Sequence, residues 1–110
     1  MDYTITYYSE AVQNDILALP DTLAARYIVL TRRIIALGPH LGAPHTKAFG
    51  QGLFELRLKG AERIARVFFC TLVGKRIVML HSFVKKSEKT PRRDREIAEI
   101  RMKEVKDANT

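Results

Sequence analysis

The chain has 110 residues, 46% of them hydrophobic, and a formal net charge of +7. That size fits one compact domain over residues 1–110 with a single core and leaves no room for a second of ordinary size. No stretch approaches the roughly 20 consecutive apolar residues of a membrane span, and the opening MDYTITYYSE lacks the basic-then-apolar layout of a signal peptide, so the expected location is the cytoplasm, with no membrane partner.

The segment YTITYY is β-branched, aromatic and alternating, which predicts a strand over residues 3–8. Ser9 is a candidate N-cap for a short helix running to about Leu19. Pro20 and Asp21 then start a longer helix, since proline suits a first turn and aspartate the positive end of the helix dipole. Its apolar stripe is Leu23, Tyr27, Leu30, Ile34 and Leu37, widened by Ile28 and Ile35, and Gly38-Pro39 ends it. The next stretch, PHLGAPHTKAFGQG over residues 39–52, has two prolines and three glycines and is expected to be a loop.

Three strands are expected after it, Leu53–Leu58, Ile64–Leu72 and Arg76–Val84, joined by short glycine-containing connections into an antiparallel meander. Thr90 followed by Pro91 marks a helix start, and Ile97, Ala98, Met102 and Val105 give that helix a narrow apolar stripe to about residue 106. The order β, α, α, β, β, β, α describes an α+β domain: an N-terminal strand, a helical hairpin, a three-stranded antiparallel meander and a C-terminal helix.

Charge is divided unevenly. Residues 1–44 hold three basic and four acidic side chains, whereas residues 45–110 hold 16 basic and 8 acidic. A basic half of this kind is the electrostatic footprint of an anionic partner, or else a solvated face that favours solubility. Several positions within it carry chemistry. Alternation in LFELRLK puts Glu55 and Arg57 on one strand face, opposite Leu56 and Leu58, and alternation in RIARVFF leaves Arg66 inside an otherwise apolar strand. Two readings of Arg66 stand open. It forms a cross-strand ion pair with Glu55 that fixes register, or Arg57 and Arg66 point into a groove that takes a phosphate. His81 is expected near the end of the last strand, on the side of Met79 and Phe83.

Past that strand, Lys85, Lys86 and Lys89 and the following helix start form a candidate anion site, because lysine charges and free backbone N–H groups converge there. Lys47 in the glycine-rich stretch is a further phosphate-binding candidate, and Arg92 and Arg93 are weaker ones on a face that alternates with Asp94 and Glu96. The single cysteine, Cys70, excludes an internal disulfide and, among Phe68, Phe69, Leu72 and Val73, reads as a core thiol. No zinc-type spacing, glycine phosphate loop or nucleophile elbow is present, so no metal site and no cofactor is expected. Arginine and lysine to stabilise negative charge, with glutamate, histidine or lysine for proton transfer, is a toolkit suited to RNA cleavage by the substrate's own 2′-OH.

The succession GLFELR, RIARVFF and RIVMLHSFVKKSEKTPRRDREIAEIRM resembles the RelE/ParE toxin superfamily, in its HigB-like, phage-derived branch, over nearly the whole chain. The resemblance implies a RelE-like α+β toxin of a type II toxin–antitoxin system, its sheet packed on the helical hairpin. It implies a ribosome-dependent endoribonuclease (mRNA interferase) that cleaves mRNA without metal and arrests translation. It also implies a cognate, HigA-like antitoxin with a helix-turn-helix domain, through which alone operator DNA is reached, and contacts to mRNA on the ribosome and to 16S rRNA. The family's strand arginines fall on Arg57 and Arg66, and its basic pair after the last strand on Lys85 and Lys86. The C-terminal base-stacking tyrosine of several RelE proteins has no counterpart, since the last aromatic is Phe83, and proton transfer is left among Glu55, His81 and a lysine such as Lys86. Two other readings fit the same composition: a ParE-like toxin that inhibits DNA gyrase by binding, and a chain that serves only as co-repressor with its antitoxin.

Overall fold

The computed structural model describes residues 2–61, 63–85 and 91–109. In chain order the elements are β1 (Thr4–Tyr7), α1 (Glu10–Leu17), α2 (Asp21–Leu37), β2 (Thr46–Gly50), β3 (Leu53–Lys59), β4 (Ile64–Leu72), β5 (Arg76–Lys85) and α3 (Arg92–Ala108). The strands form one sheet in the order β1-β5-β4-β3-β2. The pairs β2–β3, β3–β4 and β4–β5 are antiparallel, while β1 lies parallel to β5, so the α+β fold has a mixed sheet rather than a meander alone.

Each helix start follows from local chemistry. The Ser9 hydroxyl accepts from the Val12 N–H at 3.2 Å and caps α1. Pro20 is the N-cap of α2, and Gly38 ends that helix at φ 95°, a conformation that glycine adopts at least cost. The expected stripe of α2 is buried at Leu23, Tyr27, Leu30 and Ile34, but Leu37 and Ile28 face outward, 72% and 48% exposed. Thr31 takes an inward place instead, its hydroxyl donating to the Tyr27 carbonyl at 2.7 Å.

Alternation along the strands divides the core in two. Phe54, Leu56, Leu58, Ala65, Val67, Phe69, Ile77 and Met79 meet α1 and α2 on one face of the sheet. Leu53, Phe68, Cys70, Val78 and Leu80 meet Ala98, Met102 and Val105 of α3 on the other. Within the first layer the Tyr7 and Tyr27 hydroxyls bond at 2.8 Å, and burial with that bond pushes the Tyr27 hydroxyl pKa upward.

Three further sequence expectations change. First, the segment read as a loop holds β2, because pairing to β3 makes Thr46–Gly50 an edge strand despite its glycine and proline neighbours. Its two-residue turn, Gln51-Gly52, has φ values of 55° and 85°, as a primed hairpin turn requires. Second, β5 carries a bulge: Phe68 faces His81 but Phe69 faces Met79, which leaves Leu80 as the extra residue. His81 is therefore turned to the α3 face, away from Met79, which lies in the hairpin-side core. Third, Pro91 rather than Thr90 is the N-cap of α3, with no side-chain cap bond, and Thr90 itself lies outside the described residues.

Cys70 is fully buried, and burial pushes its thiol up from 9.0 to about 11, with Lys106 opposing. The unfolded chain ionises this thiol first. Stability is therefore complete below about pH 9 and falls by roughly 2–3 kcal/mol as pH rises toward 11. Urea unfolding of wild type and Cys70→Ala at pH 8 and pH 11 checks this: the alkaline loss is expected to be smaller in the variant by that amount.

Candidate functional site

The register of β3 and β4 sets Arg57 directly opposite Arg66, and Glu55 opposite Phe68. Two guanidinium groups facing one another across a strand pair repel. Glu55 relieves that repulsion: its Oε1 lies 3.4 Å from Nε of Arg57 and 3.4 Å from Nε of Arg66. The carboxylate is fully buried, the Arg66 side chain 11% exposed and the Arg57 side chain 32% exposed. The ion pair read from the sequence is thus real, diagonal across the strands and shared with a second arginine.

The groove is real as well. Arg57 and Arg66 line an open cleft of about 430 Å³ together with Arg26, Pro44, His45, Lys59 and Ile64. Three arginines and a lysine meet there, and no carboxylate is among the described lining residues. One buried carboxylate between two guanidiniums leaves that pair of arginines a net positive charge, and Arg26 and Lys59 add to it. The cleft therefore concentrates positive charge, and two of its arginines, Arg57 and Arg66, are held in place by the carboxylate beneath.

Three polar residues of the cleft have no place among the sequence candidates. Arg26 comes from α2, about 30 residues away in the chain, and no local pattern points to it. Lys59 continues the Glu55, Arg57 alternation by one more step. His45 just precedes β2, where its carbonyl accepts from the Arg57 N–H at 2.8 Å, extending the β2–β3 ladder one residue beyond the Thr46–Leu56 pair. That places His45 across from Arg57, two residues before Lys47 on the same strand face. Had residues 46–50 been recognised as a strand, this alternation would have picked it out.

The remaining sequence candidates are dispersed. His81 is not in the cleft: its Nε2 is 2.6 Å from Asp94 Oδ1 and its ring stacks on Phe83 at 6.0 Å, which ties the sheet to α3. Lys47 is exposed on β2, opposite Glu55, with its Nζ 5.1 Å above the Phe49 ring, where the Arg95 guanidinium also lies at 4.5 Å. Lys85 closes β5 opposite Ile64, a residue of the cleft wall, so it stands near the cleft rim. Arg92 is almost wholly exposed and bonds Glu96 at 2.8 Å, and Arg93 is exposed beside it; a solvated pair of this kind contributes little stability. Lys86 and Lys89 lie outside the described residues.

Among the described residues no helix is long and apolar enough to cross a membrane. No curated protein matches the chain. The family model described as phage derived protein Gp49-like (DUF891) matches residues 14–103. That span begins within α1 and ends within α3, so it takes in every described residue that lines the cleft and four of the five strands. With so much of the fold and the whole cleft inside the match, the chain belongs to the phage-derived Gp49-like family, a family associated with RelE-like toxins.

Proposed function

We propose that the chain is the toxin of a type II toxin–antitoxin pair, of the HigB-like branch and the RelE-like arrangement, and that it is an endoribonuclease acting on mRNA at the ribosome. The observation that carries this reading is the cleft in which Arg57 and Arg66, braced by one buried carboxylate, face a space that can hold a phosphodiester. In such a reaction the 2′-OH attacks the adjacent phosphorus, and the phosphate gains a second negative charge on the way to the transition state. Preformed guanidinium groups aimed at that charge need no rearrangement when it develops. Arg26 and Lys59 widen the positive field to neighbouring phosphates, and Lys85 extends it along the rim. Membership of a toxin family implies an antitoxin. An acidic segment of that partner covering the cleft would both associate quickly and exclude RNA.

Inducing the protein without its antitoxin and mapping cellular RNA ends tests the reading. Cuts within translated codons, bearing 2′,3′-cyclic phosphate on one side and 5′-OH on the other, are the expected result. Intact mRNA accompanied by DNA-damage signalling would instead select the ParE-like reading, in which the target is gyrase. Intact mRNA with normal growth would select the co-repressor.

A further inference from the structure

We infer that His45 is the group that takes the proton from the attacking 2′-hydroxyl; this rests on the endoribonuclease reading of the same cleft. The described lining residues are Arg26, Pro44, His45, Arg57, Lys59, Ile64 and Arg66. Arginine holds its proton throughout the range in which proteins work, and lysine can accept a proton only after first losing one. Proline and isoleucine have nothing to offer. Histidine is the side chain type that exchanges a proton between pH 5 and 8, so His45 is the cleft residue suited to act as base.

Of the other candidates, Glu55 and His81 are committed elsewhere, and Lys86 lies outside the described residues. Glu55 is fully buried, and the same carboxylate oxygen lies 3.4 Å from two guanidiniums, so proton uptake there would dismantle the brace beneath the arginines. His81 is bound to Asp94 at 2.6 Å and does not line the cleft. His45 is half-buried, and its backbone is fixed on both sides: its N–H donates to the Gly42 carbonyl at 2.9 Å and its carbonyl accepts from Arg57 at 2.8 Å. Among the described residues, the charged groups that line the cleft with it are Arg26 from α2, Arg57 and Lys59 from β3, and Arg66 from β4. In the step itself the imidazole nitrogen takes the 2′-OH proton as the O2′–P bond forms. The P–O5′ bond breaks, O5′ takes a proton from water, and the imidazolium later returns its own to solvent. The products are a 2′,3′-cyclic phosphate and a 5′-OH.

The experiment is single-turnover cleavage of mRNA on programmed ribosomes by the full-length chain between pH 5.5 and 8.5. Wild type is expected to speed up with pH on the acid side, as an imidazole base requires. His45→Gln should slow cleavage by ~10²–10⁴-fold and lose that acid limb, with the concentration of protein needed for half-maximal rate little changed. A flat wild-type profile between pH 5.5 and 7.5 overturns the inference without any variant, which guards against one that fails to fold. Cleavage by His45→Gln at the wild-type rate overturns it too, and so does a loss equal at every pH or confined to binding; in each of these cases the nuclease reading survives. A wild-type protein that makes no cyclic phosphate end on mRNA overturns both.

Discussion

Arg66→Ala is expected to lower mRNA cleavage by ~10²–10³-fold and to abolish growth arrest, the ~2.7–4 kcal/mol effect typical of removing one preformed donor to a transition-state oxyanion. Arg66 is the cleft arginine most removed from water, with a side chain 11% exposed against 32% for Arg57, so its charge acts through the least screened path. The same burial complicates the experiment. Glu55 is wholly enclosed, and taking away one of its two guanidinium neighbours weakens the compensation of a buried charge, a loss that typically costs ~3–5 kcal/mol. Arg66→Lys separates the two effects: it keeps a positive charge near Glu55 but replaces the planar fork with a point charge. The lysine variant should melt closer to wild type than the alanine variant and still cleave at least ~10-fold more slowly. Full cleavage and full growth arrest by a folded Arg66→Ala protein would remove Arg66 from the proposed chemistry.

Why Glu55, Arg57 and Arg66 were legible while the far wall of their cleft was not has a physical answer. Alternation is a property of the extended backbone and does not depend on the partner strand. LFELRLK and RIARVFF therefore declared which side chains share a face before any pairing was known. The pairing itself, Arg57 against Arg66, needed the length of the connection at residues 60–63 and could not be counted from the pattern alone. β2 was hidden because an edge strand is defined by its neighbour. Its own residues, TKAFG, lie among prolines and glycines, and hydrogen bonds to β3 decide its conformation. His81 was misplaced by the bulge at Leu80, which shifts the alternation by one, and nothing within VMLHSF distinguishes the extra residue from its neighbours. Arg26 reaches the cleft only through the packing of α2 on the sheet, a contact between distant parts of the chain. The uneven charge was plain in the sequence, but its point of concentration was not.

Glu55→Ala is expected to be among the most damaging single changes to stability in the chain. It leaves Arg57 and Arg66 opposite one another without the carboxylate between them, and breaking a buried ion pair from one side typically costs ~3–5 kcal/mol. For a protein near this size each kcal/mol moves the melting temperature by roughly 4–8 °C, so a drop of at least ~12 °C is expected in a thermal melt. Glu55→Gln, which keeps the shape and an acceptor oxygen, should fall between the two. The informative variant is the double replacement Glu55→Leu with Arg66→Met. Exchanging a buried ion pair for apolar residues of similar volume is often neutral for stability or better, because the desolvation of both charges is no longer required. The double variant should therefore recover most of the lost melting temperature while cleavage stays ~10²-fold or more below wild type. That outcome would locate the reason for burying a carboxylate and a guanidinium under this sheet in the cleft chemistry, not in the fold. Recovery of both stability and cleavage would mean that the pair serves register alone, and that Arg57 with Arg26 and Lys59 suffices to hold the phosphate.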